Sequence, residues 1–436
     1  MEDFAVARGL GVTRNSGLHN MSSQRSPIGL IFLTVFISMV GFGIVIPVLP
    51  VYANSEPFLM KPSELGFLVG VFSLVQLVAA PLFGRLSDRI GRKPVLLVSI
   101  VGTAVGFVVI GVAQSAWMLF LGRIIDGASG GNIATAQACI ADVTPPEKRS
   151  RTMGMIGAAF GLGFVMGPAL GGVLSQYSTQ LPFFVAAGLS VLNGVLVWAR
   201  LPETYPAERR GGAVSALPLG EVFSGAMGRW IGMILMASVL STTGFAFIHV
   251  LFALFCKDRF GWSQEQTSYG FAYVGVLAVL VQGGLLRRLL ARNIERELAV
   301  TGALILALSL WLLPGVTAVK GFMGVCALMA LGNGLLTPTL SGMASRYVDQ
   351  HAQGRVMGLM SASGSLGRFL GPILAVLPLP LAFSEYARPL GAAERVLVDA
   401  GYGKAFAFGA GLIALSMLCV LAAGRREAKE PGKVGA

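Results

Sequence analysis

The stretch MGMIGAAFGLGFVMGPALGG, Met153–Gly172, is apolar over about one membrane thickness and carries no charge. About 20 such residues are enough for a helix to cross a bilayer. Glycine in a membrane helix lets a second backbone approach closely, and proline bends the helix where neighbours can satisfy the freed carbonyl. We therefore predict a transmembrane helix that slides or pivots against another helix. The alternative is a packing face with no transport role. The positions concerned are Gly154, Gly163, Gly167, Pro168, Gly171 and Gly172.

The rest of the chain has the same membrane character. Of its 436 residues, 54% are hydrophobic and 12% charged, and the mean hydropathy is +0.73. Soluble proteins carry about 25% charged residues, so the composition predicts an all-α polytopic membrane protein. Apolar runs of about 20 residues predict twelve spans, at 28–50, 65–83, 94–113, 117–138, 153–174, 182–199, 230–255, 267–285, 298–318, 321–341, 356–379 and 404–423.

The net charge of +12 follows the membrane topology. If the N-terminus is cytoplasmic, 24 of the 33 Lys and Arg residues lie in cytoplasmic segments, which is the asymmetry of the positive-inside rule. We expect both termini in the cytoplasm, a cell (inner) membrane location and no nucleic-acid partner. Residues 1–27 lack the apolar core of a secretory signal and are predicted to be a cytoplasmic tail, with Met21 as an alternative start. The four cysteines show no metal or disulfide spacing, and we expect no cofactor and no metal.

The chain repeats itself. MGMIGAAFGLGFVMGP (153–168) aligns without gaps to MGLMSASGSLGRFLGP (357–372), with 7 of 16 positions identical. GFGIVI from Gly41 aligns with GFAFIH from Gly244 at nearly the same offset. A repeat of about 200 residues with six spans keeps the same membrane orientation in both copies, as in transporters with parallel repeats. The predicted units are a six-helix bundle at 28–199, a cytoplasmic linker at 200–229, a second bundle at 230–423 and a tail at 424–436.

Two motifs carry a family resemblance. The glycine spacing of 154–172 resembles the antiporter signature of drug:proton antiporters in the major facilitator superfamily. GRLSDRIGRKP, 84–94, resembles the signature loop of the same superfamily at every fixed position. The resemblance implies two pseudo-symmetric six-helix bundles around a central cavity.

The loop motif is interpreted as a cytoplasmic gate. In the family its Asp lies at the start of span 11 in the outward-facing state, where a helix dipole favours a carboxylate, and its second Arg pairs with an acid at the inner end of span 4. Here these residues are Asp88, Arg92 and Asp142. Our hypothesis is that they hold the cytoplasmic side shut; a solvated basic loop is the alternative. The gate residues are Gly84, Asp88, Arg89, Gly91, Arg92, Lys93 and Asp142.

Arg123 and Asp126 lie within predicted span 4, three residues apart, and therefore share a helix face. Ionisable groups inside a membrane are functional candidates by default. The segment resembles a span-four motif of the family in which the Arg is linked to proton movement, with Asp126 in place of a Gln. Burial favours a neutral acid and a neighbouring Arg favours the carboxylate. Asp126 is therefore a proton-coupling residue, a fixed ion-pair partner or a substrate contact.

The segments around GFGIVIPVLP and span 5 most resemble tetracycline exporters, which carry an Asp where this chain has Ser38. Four further polar residues are candidates for substrate binding. Arg368 could hold an anionic group or bond to a neighbouring helix, and His249 could relay protons or only pack. Asn132 and Asn333 could line the path or bridge helices.

We predict a secondary transporter that exports an amphipathic small molecule or drug, tetracycline-like or not, in exchange for protons by alternating access. The first alternative is uptake or facilitated transport of a small anionic metabolite, and a remote one is a non-transporting membrane receptor. The expected partners are the substrate, protons and the lipid bilayer, and the expected state is a monomer. The sequence contains no nucleophile–base arrangement, metal cluster or phosphate loop, so we do not predict an enzyme. The substrate and the proton stoichiometry do not follow from the sequence.

Overall fold

The computed structural model describes residues 27–144, 146–205, 225–290, 294–346, 350–379 and 392–424. Every regular element in these ranges is helical, and each of the twelve predicted spans contains at least one helix. Ten helical segments of the described part are long and apolar enough to cross a membrane. The spans are Ile28–Ala53 (span 1), Pro62–Ile90 (span 2), Arg92–Gly111 (span 3), Ala116–Ala128 with Asn132–Val143 (span 4), Pro146–Ser175 (span 5), Leu181–Arg200 (span 6), Gly225–Ala246 with Ile248–Phe260 (span 7), Gln264–Leu280 continuing to Leu290 (span 8), Glu295–Leu312 (span 9), Val319–Arg346 (span 10), Gln350–Val376 (span 11) and Ala392–Ala423 (span 12).

The helices pack as two equivalent halves. In the first half span 1 packs on spans 5 and 6, span 3 on spans 4 and 6, and span 2 on span 4. The second half repeats this pattern six spans later, with span 7 on spans 11 and 12, span 9 on spans 10 and 12, and span 8 on span 10. The halves meet where span 2 packs on span 11 and span 5 on span 8. The predicted pseudo-symmetric twelve-helix fold is confirmed.

Glycines allow close helix contacts in both halves. A Cβ added at Gly167 of span 5 would lie 2.6 Å from the Cα of Gly43 in span 1. At the repeat position in span 11, a Cβ on Gly371 would lie 2.6 Å from the carbonyl oxygen of Thr243 in span 7. Small residues are what allow membrane helices to come this close. The duplication seen in the sequence therefore reproduces the same helix contact.

The predicted loop 84–94 is mostly helical, which corrects the sequence interpretation. Span 2 continues to Ile90, and span 3 begins at Arg92, so Gly91 alone separates the two helices. Gly91 has a φ of 107° and a ψ of 159°, a region that is essentially restricted to glycine and costs other residues about 1–3 kcal/mol. A single glycine is thus sufficient to reverse the chain between two helices.

Span 4 also differs from its prediction, because the continuous helix expected over 117–138 is broken at residues 129–131. Ser129, Gly130 and Gly131 are weak helix formers, and the Ser99 hydroxyl of span 3 donates a hydrogen bond to the carbonyl of Ser129. A side chain that takes a helix carbonyl in this way bends or breaks the helix. The break lies directly after Asp126, the buried acid of this span.

Among the described residues, the close contacts between spans 2 and 11 lie toward one end of the molecule. We call the end that holds residues 84–94 the loop end and the end that holds residues 54–61 the opposite end. Toward the opposite end, a Cβ on Gly66 of span 2 would lie 2.7 Å from the carbonyl oxygen of Pro372 in span 11. At the loop end, a Cβ on Gly84 of span 2 or Gly358 of span 11 would meet nothing within 4 Å. The described glycines of spans 2 and 11 therefore show contact between the halves toward the opposite end and none at the loop end.

Candidate functional site

A small cavity lies between the halves, beneath their contact at the opposite end. It is bounded by side chains of spans 1, 2, 4, 7 and 11, so both halves contribute to it. Its wall is largely apolar, with one hydroxyl and three basic side chains. The lining residues are Phe42, Val45, Ile46, Leu49, Val69, Phe72, Ser73, Arg123, His249 and Arg368.

Arg123 and Asp126 form an ion pair beside this cavity. Their Nη1 and Oδ2 atoms are 3.1 Å apart, and their side chains are only 4% and 5% exposed. The guanidinium of Arg123 also lies 4.5 Å from the ring centroid of Phe72 in a cation–π contact. Two charges are stable together in such a dry site because each neutralises the other, and removing one leaves the other uncompensated. The pair is thus a place where gain of a proton by Asp126 would change the local charge.

Arg368 reaches the same cavity from span 11. Its Nη2 atom donates a hydrogen bond of 3.0 Å to Ser365 Oγ, one turn earlier on the same helix. Gly364 leaves room for the guanidinium, because a Cβ there would lie 3.2 Å from Nη1 of Arg368. No carboxylate of the described residues lies within 4.0 Å of this guanidinium. The sequence left open the binding of an anion and a hydrogen bond to a neighbouring helix. The structure shows a hydrogen bond within span 11 and a position at the cavity wall.

His249 lies just after the short interruption of span 7 and faces the cavity. Its ring meets that of Phe245 edge-on, with the ring centroids 6.3 Å apart. The sequence left packing and proton relay open for this residue. Its position beside Arg123 and Arg368 is compatible with a polar role, and it also packs.

Asn132 and Asn333 do not line the cavity. The Asn132 side-chain amide donates to Ser38 Oγ at 3.2 Å, and Asn193 of span 6 donates to the same oxygen at 3.4 Å. Ser38 thus joins spans 1, 4 and 6 within the first half. Asn333 accepts a hydrogen bond of 3.0 Å from Thr337 on its own helix.

At the loop end, Arg92 is the centre of a polar cluster. It contacts Asp88 at 2.6 Å, Asp142 at 3.0 Å and Ser87 Oγ at 2.6 Å. All of these residues belong to the first half, so within the described part of the chain the cluster ties spans 2, 3 and 4 together. Of the other gate residues, Arg89 is exposed, and Lys93 takes part through its backbone.

The segment after span 6 completes this cluster, and the sequence analysis did not identify it. Glu203 accepts hydrogen bonds from the backbone N–H groups of Arg92 at 2.8 Å and Lys93 at 3.2 Å. Its carboxylate therefore caps the N-terminus of span 3, where the helix dipole favours negative charge. The Arg92 guanidinium lies over the ring of Tyr205, with its Cζ atom 4.7 Å from the centroid of that ring. No local signal could reveal this, because Glu203 and Arg92 are 111 residues apart.

The antiporter motif contacts two different helices. Gly163 and Gly167 pack on span 1, with Gly163 against Met39, and a Cβ on Gly171 would lie 3.0 Å from the carbonyl oxygen of Ile44. Pro168 also faces this contact. Gly172 instead faces the other half, where a Cβ would lie 2.5 Å from Cβ of Ser268 in span 8. Gly154 falls among residues 145–158, outside the described side chains.

Helical spans in two equivalent halves, with a cavity that holds basic side chains between them, are the arrangement of transporters with parallel repeats. A family model described as Major Facilitator Superfamily matches residues 31–372. The chain is 34% identical over 354 residues to the class C tetracycline resistance protein of Escherichia coli, covering 78% of this chain and 86% of that protein. The chain belongs to the major facilitator superfamily and is a multi-pass membrane transporter rather than an enzyme.

Two solved structures share the fold. A bacterial homolog of the human lysosomal transporter Spinster, in an inward-facing and occupied conformation, aligns with a TM-score of 0.75 and 15% identity, covering 93% of this chain and 98% of that one. The human organic anion transporter MFSD10 aligns with a TM-score of 0.68 and 24% identity, covering 91% and 99%. The predicted resemblance to tetracycline efflux proteins is also confirmed by the sequence similarity.

Proposed function

We propose that this protein exports an amphipathic small molecule from the cell in exchange for protons. The observation that carries the proposal is the buried Arg123–Asp126 pair at the wall of a cavity shared by both halves. Substrate bound in that cavity lies close to a carboxylate whose protonation would free the Arg123 charge. Such a pair can link the binding of a proton to the release of a substrate.

The similarity to tetracycline resistance proteins supports a drug or drug-like substrate. Each such relative covers about four fifths of this chain. Tetracycline itself is therefore the first compound to test. Span 1 has no carboxylate, because Ser38 stands where tetracycline exporters carry an Asp, and its hydroxyl accepts hydrogen bonds from Asn132 and Asn193. The cavity therefore also suits a drug-like substrate other than tetracycline.

The proposed orientation places the loop end in the cytoplasm, with both termini on that side of the inner membrane. The basic residues of the cytoplasmic segments support it. In this orientation the contact between spans 2 and 11 lies on the outer side of the cavity. We further propose that the bundles 28–199 and 230–423 move as units about the linker 200–229, that the protein acts as a monomer, and that the Arg92 cluster is part of the cytoplasmic gate.

The test is flux in proteoliposomes with an imposed pH gradient and a pH-sensitive dye inside. An antiporter moves protons out of the lumen when tetracycline or another amphipathic substrate is added outside, and it accumulates that substrate against its gradient. Flux that ignores the pH gradient would contradict proton exchange. The second candidate function is uptake of a small anionic metabolite, and the position of Arg368 at the cavity favours it. Movement of protons and substrate in the same direction would support this second function.

A further inference from the structure

We infer that Arg368 binds an anionic group of the transported molecule, so that the substrate class is an apolar organic anion bearing a carboxylate or phosphate. The inference rests on the proposed function only in that the cavity between the halves holds the transported molecule. It adds the charge of that molecule and the residue that recognises it.

The charges at the cavity are not balanced. Of the lining residues, Arg123 and Arg368 carry guanidinium groups, His249 carries an imidazole and none is acidic. Asp126 neutralises Arg123 at 3.1 Å. Arg368 is partly buried and has no such partner among the described carboxylates, and burying a cation without a counter-charge is unfavourable. A bound anion supplies the missing charge.

The guanidinium of Arg368 is positioned by its own helix. One of its nitrogens is held by Ser365 Oγ at 3.0 Å, and Gly364 leaves space beside it. This fixes the side chain along its helix, while a guanidinium has five N–H donors in a planar fork. The donors that Ser365 does not engage can bind two oxygens of one carboxylate or phosphate, the arrangement in which Arg is strongest.

The rest of the cavity wall is largely apolar. Phe42 and Phe72 lie with their ring centroids 5.5 Å apart, and Val45, Ile46 and Val69 extend this apolar surface. Such a wall accommodates the hydrocarbon body of a ligand, with a few polar groups fixing its orientation. The cavity offers no carboxylate of the described residues to a cationic drug, because Asp126 is engaged and does not line it.

The experiment compares the binding of three probes of similar shape to the purified full-length protein by titration calorimetry. The probes are 1-naphthoate, the neutral 1-naphthamide and the cation (1-naphthylmethyl)trimethylammonium. We expect naphthoate to bind most tightly. Its affinity should fall about 10- to 100-fold in Arg368→Gln, since a hydrogen-bonded charge is lost, and recover in part in Arg368→Lys. The affinity for naphthamide should stay within about twofold, which also shows that the variant is folded.

Equal affinity for the anion and the amide in the wild type, or a fall for all three probes in Arg368→Gln, would overturn the inference. 1-Naphthyl phosphate and a short-chain phosphatidate are then used as competitors. Displacement of naphthoate by naphthyl phosphate supports a soluble anion, whereas stronger displacement by the phosphatidate would overturn it in favour of a lipid headgroup. Selective anion binding without flux driven by a pH gradient would leave this inference standing and contradict the proposed proton exchange.

Discussion

Asp126 is the residue on which proton coupling depends in this account. Asp126→Asn keeps the size of the side chain but cannot ionise, so Arg123 keeps its charge at every pH. We expect flux driven by a pH gradient to fall at least tenfold, while exchange of labelled for unlabelled substrate at equal pH continues. The unfolding temperature should also fall, because breaking a buried ion pair costs about 3–5 kcal/mol.

A matched control is Asp399→Asn. Asp399 pairs with Arg259 at the same kind of distance, 3.0 Å, but its side chain is 54% exposed. Exposed pairs contribute about 0–1 kcal/mol, so both flux and stability should stay close to wild type. Full proton-driven flux in Asp126→Asn would exclude this residue from coupling.

Glu203 gives a second prediction at the residue scale. Glu203→Gln removes the charge that caps span 3 through Arg92 and Lys93. The loss of a charged cap costs about 0.5–2 kcal/mol, so we expect a lower unfolding temperature in detergent and slower transport with unchanged substrate affinity. Glu56→Gln, at an exposed position, is the control. An unchanged unfolding temperature for Glu203→Gln would show that the cap is not stabilising.

The sequence predicts contacts between near neighbours better than contacts between distant ones. Residues three apart on a helix face each other, so the pairing of Arg123 with Asp126 follows from their spacing. The family resemblance led to Arg92 with Asp142. The cap from Glu203 and the bonds from Asn132 and Asn193 to Ser38 join helices far apart in the chain, and only the packing of those helices defines them.

At the scale of helices, the contact of span 5 with span 1 depends on the absence of side chains. A Cβ on Gly167 would lie 2.6 Å from Gly43 Cα and 2.7 Å from the carbonyl oxygen of Val40. These are backbone atoms that cannot move aside. We expect Gly167→Val to destabilise the protein by about 1–3 kcal/mol, as overpacking does, and to abolish transport. Thermal unfolding and flux measure the two effects.

The control for this contact is Gly188→Val in span 6, where an added Cβ meets nothing within 4 Å. The same change at that position should leave stability and flux unaltered. If both variants behave alike, the loss would reflect glycine replacement in general rather than the contact between spans 1 and 5.

The number and order of the helices follow from hydropathy, because a span must be apolar for its whole length. Their interruptions do not. Span 4 breaks where a serine of span 3 bonds to the Ser129 carbonyl, which hydropathy cannot detect. The polar stretch 84–94 looked like a loop, yet it is helical up to Ile90 because Gly91 alone provides the turn.

At the scale of the whole molecule, the Arg92 cluster lies within one half, so it can act on the gate only by presenting Asp88 to the other half when the loop end closes. Asp88 already contacts Arg92 at 2.6 Å and is 30% exposed. We expect Asp88→Asn to remain folded in the membrane and to lose transport, because the loop end is no longer held closed. Wild-type transport rates in this variant would end that interpretation. Its folding is checked by gel filtration and thermal unfolding.

The central claim is that the two halves open the cavity to the two sides of the membrane alternately. Pulsed electron paramagnetic resonance in liposomes tests it with spin labels at two pairs of exposed positions, Arg85 with Met357 at the loop end and Lys61 with Leu377 at the opposite end. Cys419, the one partly exposed cysteine of the four, is first replaced by serine. When substrate or pH is changed, we expect the Arg85–Met357 distance to shorten as the Lys61–Leu377 distance lengthens. Distances that stay fixed at both pairs, or that change in the same direction, would contradict it.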